Sequence, residues 1–430
     1  MAARLAMSHN AAGSAMTAQD RFMSTLKLVL GHPTLRLIAV ALLLLGAHNA
    51  SVYPYQSLIA IEKVGLTKAG FSLVLVLASG VAVTASVLFG VLGDQYGRRR
   101  MIALATAISS TLGIALMLLA PGALAVAITH GVLLPLASSL YGQLFALLRI
   151  ANPAEGHERA VIQANIRSAM SASFLMMLLF WTLVFGLGVD VMAVYLSAGA
   201  ASLGMSLLLW FKWPRDGAPH LDDQRSGLNL AEAMREIARP LILSRVLMMG
   251  AIASAGNLYM VLVSLVFEAA PTRGAGDVAL YVGLVAGWEV PAMLWLPRLV
   301  AHLPRSTVLA GGTAIYACHL ALMPWLADTP ALWALTLAAG VGGAAVITLP
   351  IAYYQDLLQG RPGTAGAMLA VQKLVADVTS AAAFYIGTRI GGYEVAALIG
   401  MILSVFGAIL LVTADRRSWL MPAAPAVEAP

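Results

Sequence analysis

Apolar residues run along this chain in blocks of about twenty, broken by short polar punctuation, and within a block they occupy every helical face. LVLVLASGVAVTASVLFG (73–90) and LIGMILSVFGAILLV (398–412) are examples. A bilayer core of about 30 Å takes roughly 20 apolar residues of helix. Read in such windows, the chain predicts twelve spans, starting near residues 36, 68, 101, 122, 159, 188, 238, 275, 306, 329, 364 and 392. An open strand would leave its amides unsatisfied in lipid, and the period-2 alternation of a membrane barrel is missing. The expected fold is all-α and integral to the membrane. Composition agrees: 60% of residues are hydrophobic and 11% charged, against roughly 25% charged in a soluble domain.

Charge fixes the topology. Twenty of the 26 Lys and Arg fall on the side of the two termini, four (Lys63, Lys68, Arg273, Arg389) fall opposite, and Arg167 and Lys373 lie inside spans. By the positive-inside rule both termini are expected in the cytoplasm. The net charge of +6 is then a topology signal, and no nucleic-acid partner is expected, since the basic loops lack interleaved aromatics. The longest polar interruption, WPRDGAPHLDDQRSGLNLAEAMREIAR (213–239), follows six spans and precedes six more. The expected organisation is a tail (1–35), a six-helix half (36–212), a cytoplasmic linker (213–237), a second six-helix half (238–414) and a C-terminal tail (415–430). Residues 1–33 read as a tail, not a signal peptide, because no basic start, apolar stretch and cleavage site follow in order. Cys318, the single cysteine, cannot form an intramolecular disulfide and reads as a small core residue.

The loop after the second span reads Gly90-Val91-Leu92-Gly93-Asp94-Gln95-Tyr96-Gly97-Arg98-Arg99-Arg100. It resembles the G-x-x-x-D-(R/K)-x-G-x-R-(R/K) signature of the major facilitator superfamily, at the loop where that family carries it. The resemblance implies a fold of two six-helix halves. In it, Gly90 permits close helix approach, Asp94 neutralises a neighbouring helix start, Gly97 allows a tight turn, and Arg98, Arg99 and Arg100 hold the cytoplasmic side. Gln95 departs from the usual base, and the matching loop of the second half, LPRLVAHLPRS, lacks the glycine and aspartate.

Four further stretches look like the bacterial sugar efflux transporter family, whose members expel sugars with the proton gradient. They are Pro54–Leu58 with Val64-Gly65; Arg159-Ala160-Val161 leading to Arg167; Gly287-Trp288-Glu289-Val290-Pro291; and Tyr354-Gln355-Asp356-Leu357 before Gly360 and Gly363. The Gly-Pro element associated with antiporters is replaced by Met176-Met177-Leu178-Leu179 in the fifth span, which leaves the direction of transport open at this point.

Charges inside spans cost about 2.5 to 3.5 kcal/mol each even on lenient scales, so they need a partner or water. Glu289 and Arg167 lie at similar depth on spans that adjoin in this fold. The alternatives are a separable pair in which Glu289 takes the proton, or a permanent ion pair. Lys373 and Asp377, spaced i, i+4, share one helix face, and Asp377 is the second proton candidate. Substrate contacts are expected from His48, Asn49, Tyr53, Tyr55 and Gln56 in the first span, from His130, Tyr141 and Gln143 in the fourth, and from Asn257 and Tyr259 in the seventh. Amides and phenols suit hydroxyl-rich ligands, although each residue singly also reads as a helix-packing hydrogen bond. No metal-ligand spacing, cofactor motif or catalytic arrangement is present, so no metal, cofactor or enzyme activity is expected.

The expected function is proton-coupled efflux of a sugar-like small molecule by alternating access, in a bacterial inner membrane, by a monomer as carriers of this fold are. Two alternatives remain: an exporter of amphiphiles, which the 20 methionines would suit, and a transporter-like sensor. The topology makes a direct prediction. A fluorescent-protein fusion at the C-terminus will glow and an alkaline phosphatase fusion there will be silent, while phosphatase inserted at Arg273 will be active.

Overall fold

The computed structural model describes residues 29–96, 98–151, 156–214, 239–357 and 362–420, and no strand occurs among them. Twelve helices among these residues are long and apolar enough to cross a bilayer. In order they are α1 (Pro33–Lys63), α2 (Lys68–Tyr96), α3 (Arg99–Leu119), α4 (Ala123–Leu148), α5 (Gly156–Gly186), α6 (Val191–Lys212), α7 (Pro240–Ala269), α8 (Ala275–Val300), α9 (Arg305–Leu326), α10 (Leu332–Leu357), α11 (Pro362–Ile390) and α12 (Gly392–Leu420). Each begins within three residues of its expected position. The tails (1–28 and 421–430), Gly97 and most of the expected linker (215–238) lie outside the described residues.

Local chemistry sets several helix starts. Pro33 and Pro240 occupy first-turn positions where a missing N–H costs nothing. Asp277 accepts from the Gly274 amide at 3.0 Å, closing the start of α8. Asp190 accepts from the Met192 amide at 2.8 Å ahead of α6 and from Lys63 at 2.9 Å. The Lys63 ammonium, with that amide, holds the Asp190 carboxyl below its ordinary range. Two helices are interrupted. In α1, Pro54 sits in a 3-10 turn (Tyr53–Tyr55) followed by a π turn (Ile59–Lys63), and α4 carries a π turn (Thr129–Leu133) just before Pro135.

Large apolar side chains such as Leu73, Leu119, Leu183 and Ile390 are largely uncovered, as expected where the solvent is lipid. Helix association then draws on close packing and hydrogen bonds, because burial from lipid gains nothing. Gly387 illustrates the packing: a Cβ there would stand 2.2 Å from Cα of Ala396.

Three cores divide the molecule. One occupies the side away from the termini, here the far side, and draws on both halves: Tyr55, Phe71, Trp181 and Tyr195 with Tyr259, Tyr281, Leu320 and Phe384. The other two lie on the terminus side and stay within one half each: Leu42, Leu144 and Leu209 in the first, Met249, Leu309 and Leu411 in the second. Among the described residues, hydrogen bonds, ring pairs and cation–π contacts that cross between the halves near the ends of helices sit on the far side. Ser57 donates to the Val261 carbonyl at 2.7 Å and meets the Ser264 hydroxyl at 3.0 Å. Phe71 packs edge-on against Phe384 at 6.2 Å, and Lys68 lies 4.4 Å over the Tyr393 ring. The halves thus share a core on the far side and keep separate cores toward the termini.

Because backbone fills the space at Gly387, Gly387→Ala is expected to cost about 1–3 kcal/mol. Gly311→Ala, where nothing lies within 4 Å, is expected to be neutral or to gain up to about 1 kcal/mol from helix propensity. Thermal unfolding in detergent compares the two.

Candidate functional site

Near the middle of the membrane, side chains from both halves meet. Asp377 on α11 accepts from the Asn257 amide of α7 at 2.5 Å and from Lys373 Nζ at 2.7 Å. The 3-10 turn that interrupts α1 and carries Tyr53 packs against α7, bringing the first half to this site. Asp377 is well covered, with its side chain 16% exposed, whereas Lys373 is 58% exposed. An ammonium left open at this depth requires water. Broken helices that line such cavities are a recurrent way to present both backbone and side-chain polar groups at mid-membrane. Four groups thus converge: a phenol, an amide, an ammonium and a carboxylate, able to exchange hydrogen bonds with a hydroxyl-rich ligand.

Known families decide what kind of protein carries this cluster. The sequence matches the Major Facilitator Superfamily over residues 37–376. The chain belongs to that superfamily. It is also 26% identical over 403 residues to a candidate sugar efflux transporter of Deinococcus radiodurans, covering 88% of this chain and 97% of the relative. Among solved structures, the nucleoside transporter NupG superposes with a TM-score of 0.72 at 15% identity, over 89% of this chain and 99% of that one. A D-xylose-proton symporter does so with a TM-score of 0.64 at 13% identity, over 91% and 97%. At these identities the structures establish the fold alone.

Within the superfamily fold, the remaining expected site residues separate by location. Glu289 does not reach Arg167. Its carboxylate turns into the second half, where one oxygen comes within 2.8 Å of the place a Cβ on Gly343 of α10 would occupy, beside the Tyr316 ring of α9. Arg167 is exposed on α5, with its charge near the Tyr141 phenol of α4. The expected meeting of the two charges fails for a geometric reason: they sit at similar depth, but Glu289 is on the face of α8 that packs against α10, away from α5.

His48 contacts the Ala198 carbonyl at 3.2 Å and Ser110 at 3.4 Å, tying α1 to α6 and α3. His130 contacts the Tyr195 hydroxyl at 2.7 Å. Both imidazoles therefore face the interior of the first half. Tyr55 is buried edge-on against Phe185, 5.4 Å away, with its hydroxyl unpartnered. Gln143 makes a long 3.4 Å contact to the Phe89 carbonyl, Tyr141 tilts against Phe145, and Asn49 and Gln56 are half-buried on α1. Tyr259 is buried among Tyr281, Tyr316 and His319. Of the loop motif, Gly90 and Asp94 fall in the last turns of α2, Gly97 is outside the described residues, and Arg98 precedes α3. Arg99 opens α3, and Arg100 donates to the Trp210 carbonyl at 2.9 Å, binding α3 to α6. Cys318, expected in the core, is exposed on α9.

Sequence reasoning missed two groupings. Arg245, counted only as a topology charge, is buried 3.0 Å from Asp415 on α12, which also accepts from Tyr353 at 2.9 Å. The N–H of Arg245 points away from an ideal angle, so this is a charge pair more than a good hydrogen bond. The other is the Gly340-Val341-Gly342-Gly343 run, whose lack of side chains admits Trp288, Tyr316 and Glu289. The glycine run was a visible signal, but its partners were not.

Burial sets the expected energetics of the two ion pairs. Arg245, 5% exposed, should cost about 3–5 kcal/mol when changed to Ala, because Asp415 is left covered with its main charge partner gone. Lys373→Ala should cost less, because the ammonium removed is itself 58% exposed and the covered Asp377 keeps its Asn257 amide. Unfolding in mixed micelles measures both.

Proposed function

We propose that this protein is a proton-coupled exporter of a sugar or a closely related polyhydroxylated small molecule, working by alternating access in a bacterial inner membrane. Both termini are cytoplasmic and the working unit is a monomer. The observation that carries the reading is the convergence of Tyr53, Asn257, Lys373 and Asp377 from both halves near the middle of the membrane. A ligand bound there touches both halves at once, so its arrival and departure can govern their relative rocking. The amide, phenol and paired charges favour hydroxyl groups over a bare apolar cation. Similarity to a candidate sugar efflux transporter supports the same cargo class and the outward direction.

Proton coupling follows from the carboxylates. Asp377 is paired with Lys373 and Asn257, while Glu289 is half-buried with no ion-pair partner among the described residues. A carboxyl without a cation in a dry surround exchanges its proton when the surround changes, and rocking of the halves changes it.

Transport into liposomes containing only purified protein tests this, using a panel of radiolabelled sugars and one cationic dye, with and without a pH gradient. A sugar is expected to move uphill only while protons flow. Glu289→Gln should lose uphill movement and keep passive exchange, and Asn257→Ala should raise the substrate's half-saturation about tenfold, the loss of one hydrogen bond to a charged partner. Movement of the dye alone would discard the sugar assignment and leave an exporter of amphiphiles.

A further inference from the structure

The side chain nearest Glu289 also reaches the central site. A Cβ built on Gly343 would stand 2.8 Å from a Glu289 carboxylate oxygen and 3.3 Å from Cε2 of Tyr316, so the carboxylate and the ring edge share one small space. The hydroxyl, on the ring carbon next to Cε2, also lies against Gly256 of α7, 3.8 Å from where its Cβ would be. The next residue on α7 is Asn257, which holds Asp377. The hydroxyl end of Tyr316 therefore sits between the Glu289 carboxylate and the turn of α7 that carries a central-site residue.

The surroundings of Glu289 are otherwise poor in charge. From α7 comes Tyr259, and from α9 come Tyr316 and, behind it, His319, whose ring is 5.3 Å from that of Tyr316 and 5.1 Å from that of Tyr259. Neither His319 nitrogen is hydrogen-bonded, although the Tyr316 carbonyl lies nearby, and the buried Tyr259 hydroxyl is also unpartnered. From α10 the neighbours are glycines, from α5 Arg167 is exposed and makes no ion pair with Glu289, and the 3-10 turn of α1 brings Tyr53 and Tyr55.

We propose that Tyr316 is a positioning residue that couples the protonation of Glu289 to the Asn257–Asp377 pair, an inference resting on the proton role assigned to Glu289 above. With Glu289 ionised, the phenolic O–H donates to the carboxylate, a stronger bond than one between neutral groups, and the hydroxyl leaves the α7 turn. When Glu289 takes up a proton from water in the cavity, that attraction falls and the hydroxyl returns to Gly256, the position seen here. The turn bearing Asn257 thus has a neighbour in one protonation state and not in the other. No covalent bond changes, and the only proton moved is that between water and Glu289.

Double electron–electron resonance on the full chain tests the coupling without a substrate. Nitroxides replace the exposed residues Lys212 and His302 at the terminus-side ends of the two halves, in a Cys318→Ala background, and the pH series spans the range of a buried carboxyl. The wild-type distance distribution is expected to shift with pH, and Glu289→Gln to show one distribution throughout. Tyr316→Phe should lose the shift with an unchanged thermal midpoint. Should Tyr316→Phe fail to fold, Gly343→Ala, which drives the carboxylate from the ring, should lose the shift in its place. A folded Tyr316→Phe, or in its place Gly343→Ala, that keeps the wild-type shift while Glu289→Gln loses it overturns the coupling and leaves the proton role standing. A shift retained in Glu289→Gln, or absent from the wild type, overturns both.

Discussion

Ser57 and Ser264 meet across the two halves on the far side, at the core that both halves share. Lipid offers no gain for burying one apolar helix against another, so the halves are held where shapes fit and hydroxyls find carbonyls. The Ser57 bond to Val261, the Phe71–Phe384 pair and Lys68 over Tyr393 supply such contacts at one end only. Toward the termini each half keeps its own core. An exposed Lys373 at mid-membrane depth requires water beside it. Were the halves in contact along their whole length, the ammonium would need a complete shell of partners, and Asp377 supplies one.

The two carboxylates near the middle of the second half show how differently the same residue class can be accommodated. Asp377 has a cation one turn away and an amide from α7, so its charge is balanced within the site. Glu289 has neither. Its neighbours are glycine, which contributes no bulk, and tyrosine, which contributes a phenol and a ring face. The glycine run of α10 is what makes room for it: with alanine at position 343, the carboxylate and the Tyr316 ring would both have to give way. One carboxylate is thus placed by a lack of bulk without a counter-charge, and the other is paired with a lysine on its own helix.

Much of this was legible in the sequence because membrane solvation imposes coarse, one-dimensional signals. Span positions follow from hydropathy and spacing, and among the described residues twelve helices occupy the expected places. The Lys373–Asp377 contact is also local, fixed by one helical turn. What remained hidden is rotational. Glu289 and Arg167 share a depth, yet depth does not say which way a helix faces, and α8 turns its glutamate toward α10. Similarly His48 and His130 lie on helices that border the cavity but point into the first half, where Ala198, Ser110 and Tyr195 receive them. Arg245 lies within the described α7 and Asp415 within α12, 170 residues apart, and only the folded chain pairs them. Tyr316 gave no signal, being one tyrosine in an apolar span.

The rotational facts concentrate function on α7. The Tyr316 hydroxyl lies against Gly256, Asn257 holds Asp377, and Val261 and Ser264 bind Ser57 across the seam. These positions span nine residues, about two and a half turns of one helix. A helix that short transmits a tilt or rotation with little internal loss, because every backbone group along it is hydrogen-bonded to its own neighbours. A change in any one contact therefore shifts the other two in register. The helix that carries Asn257 is also the one that meets Ser57 on the far side, so the central cluster and the far-side contact share a single element.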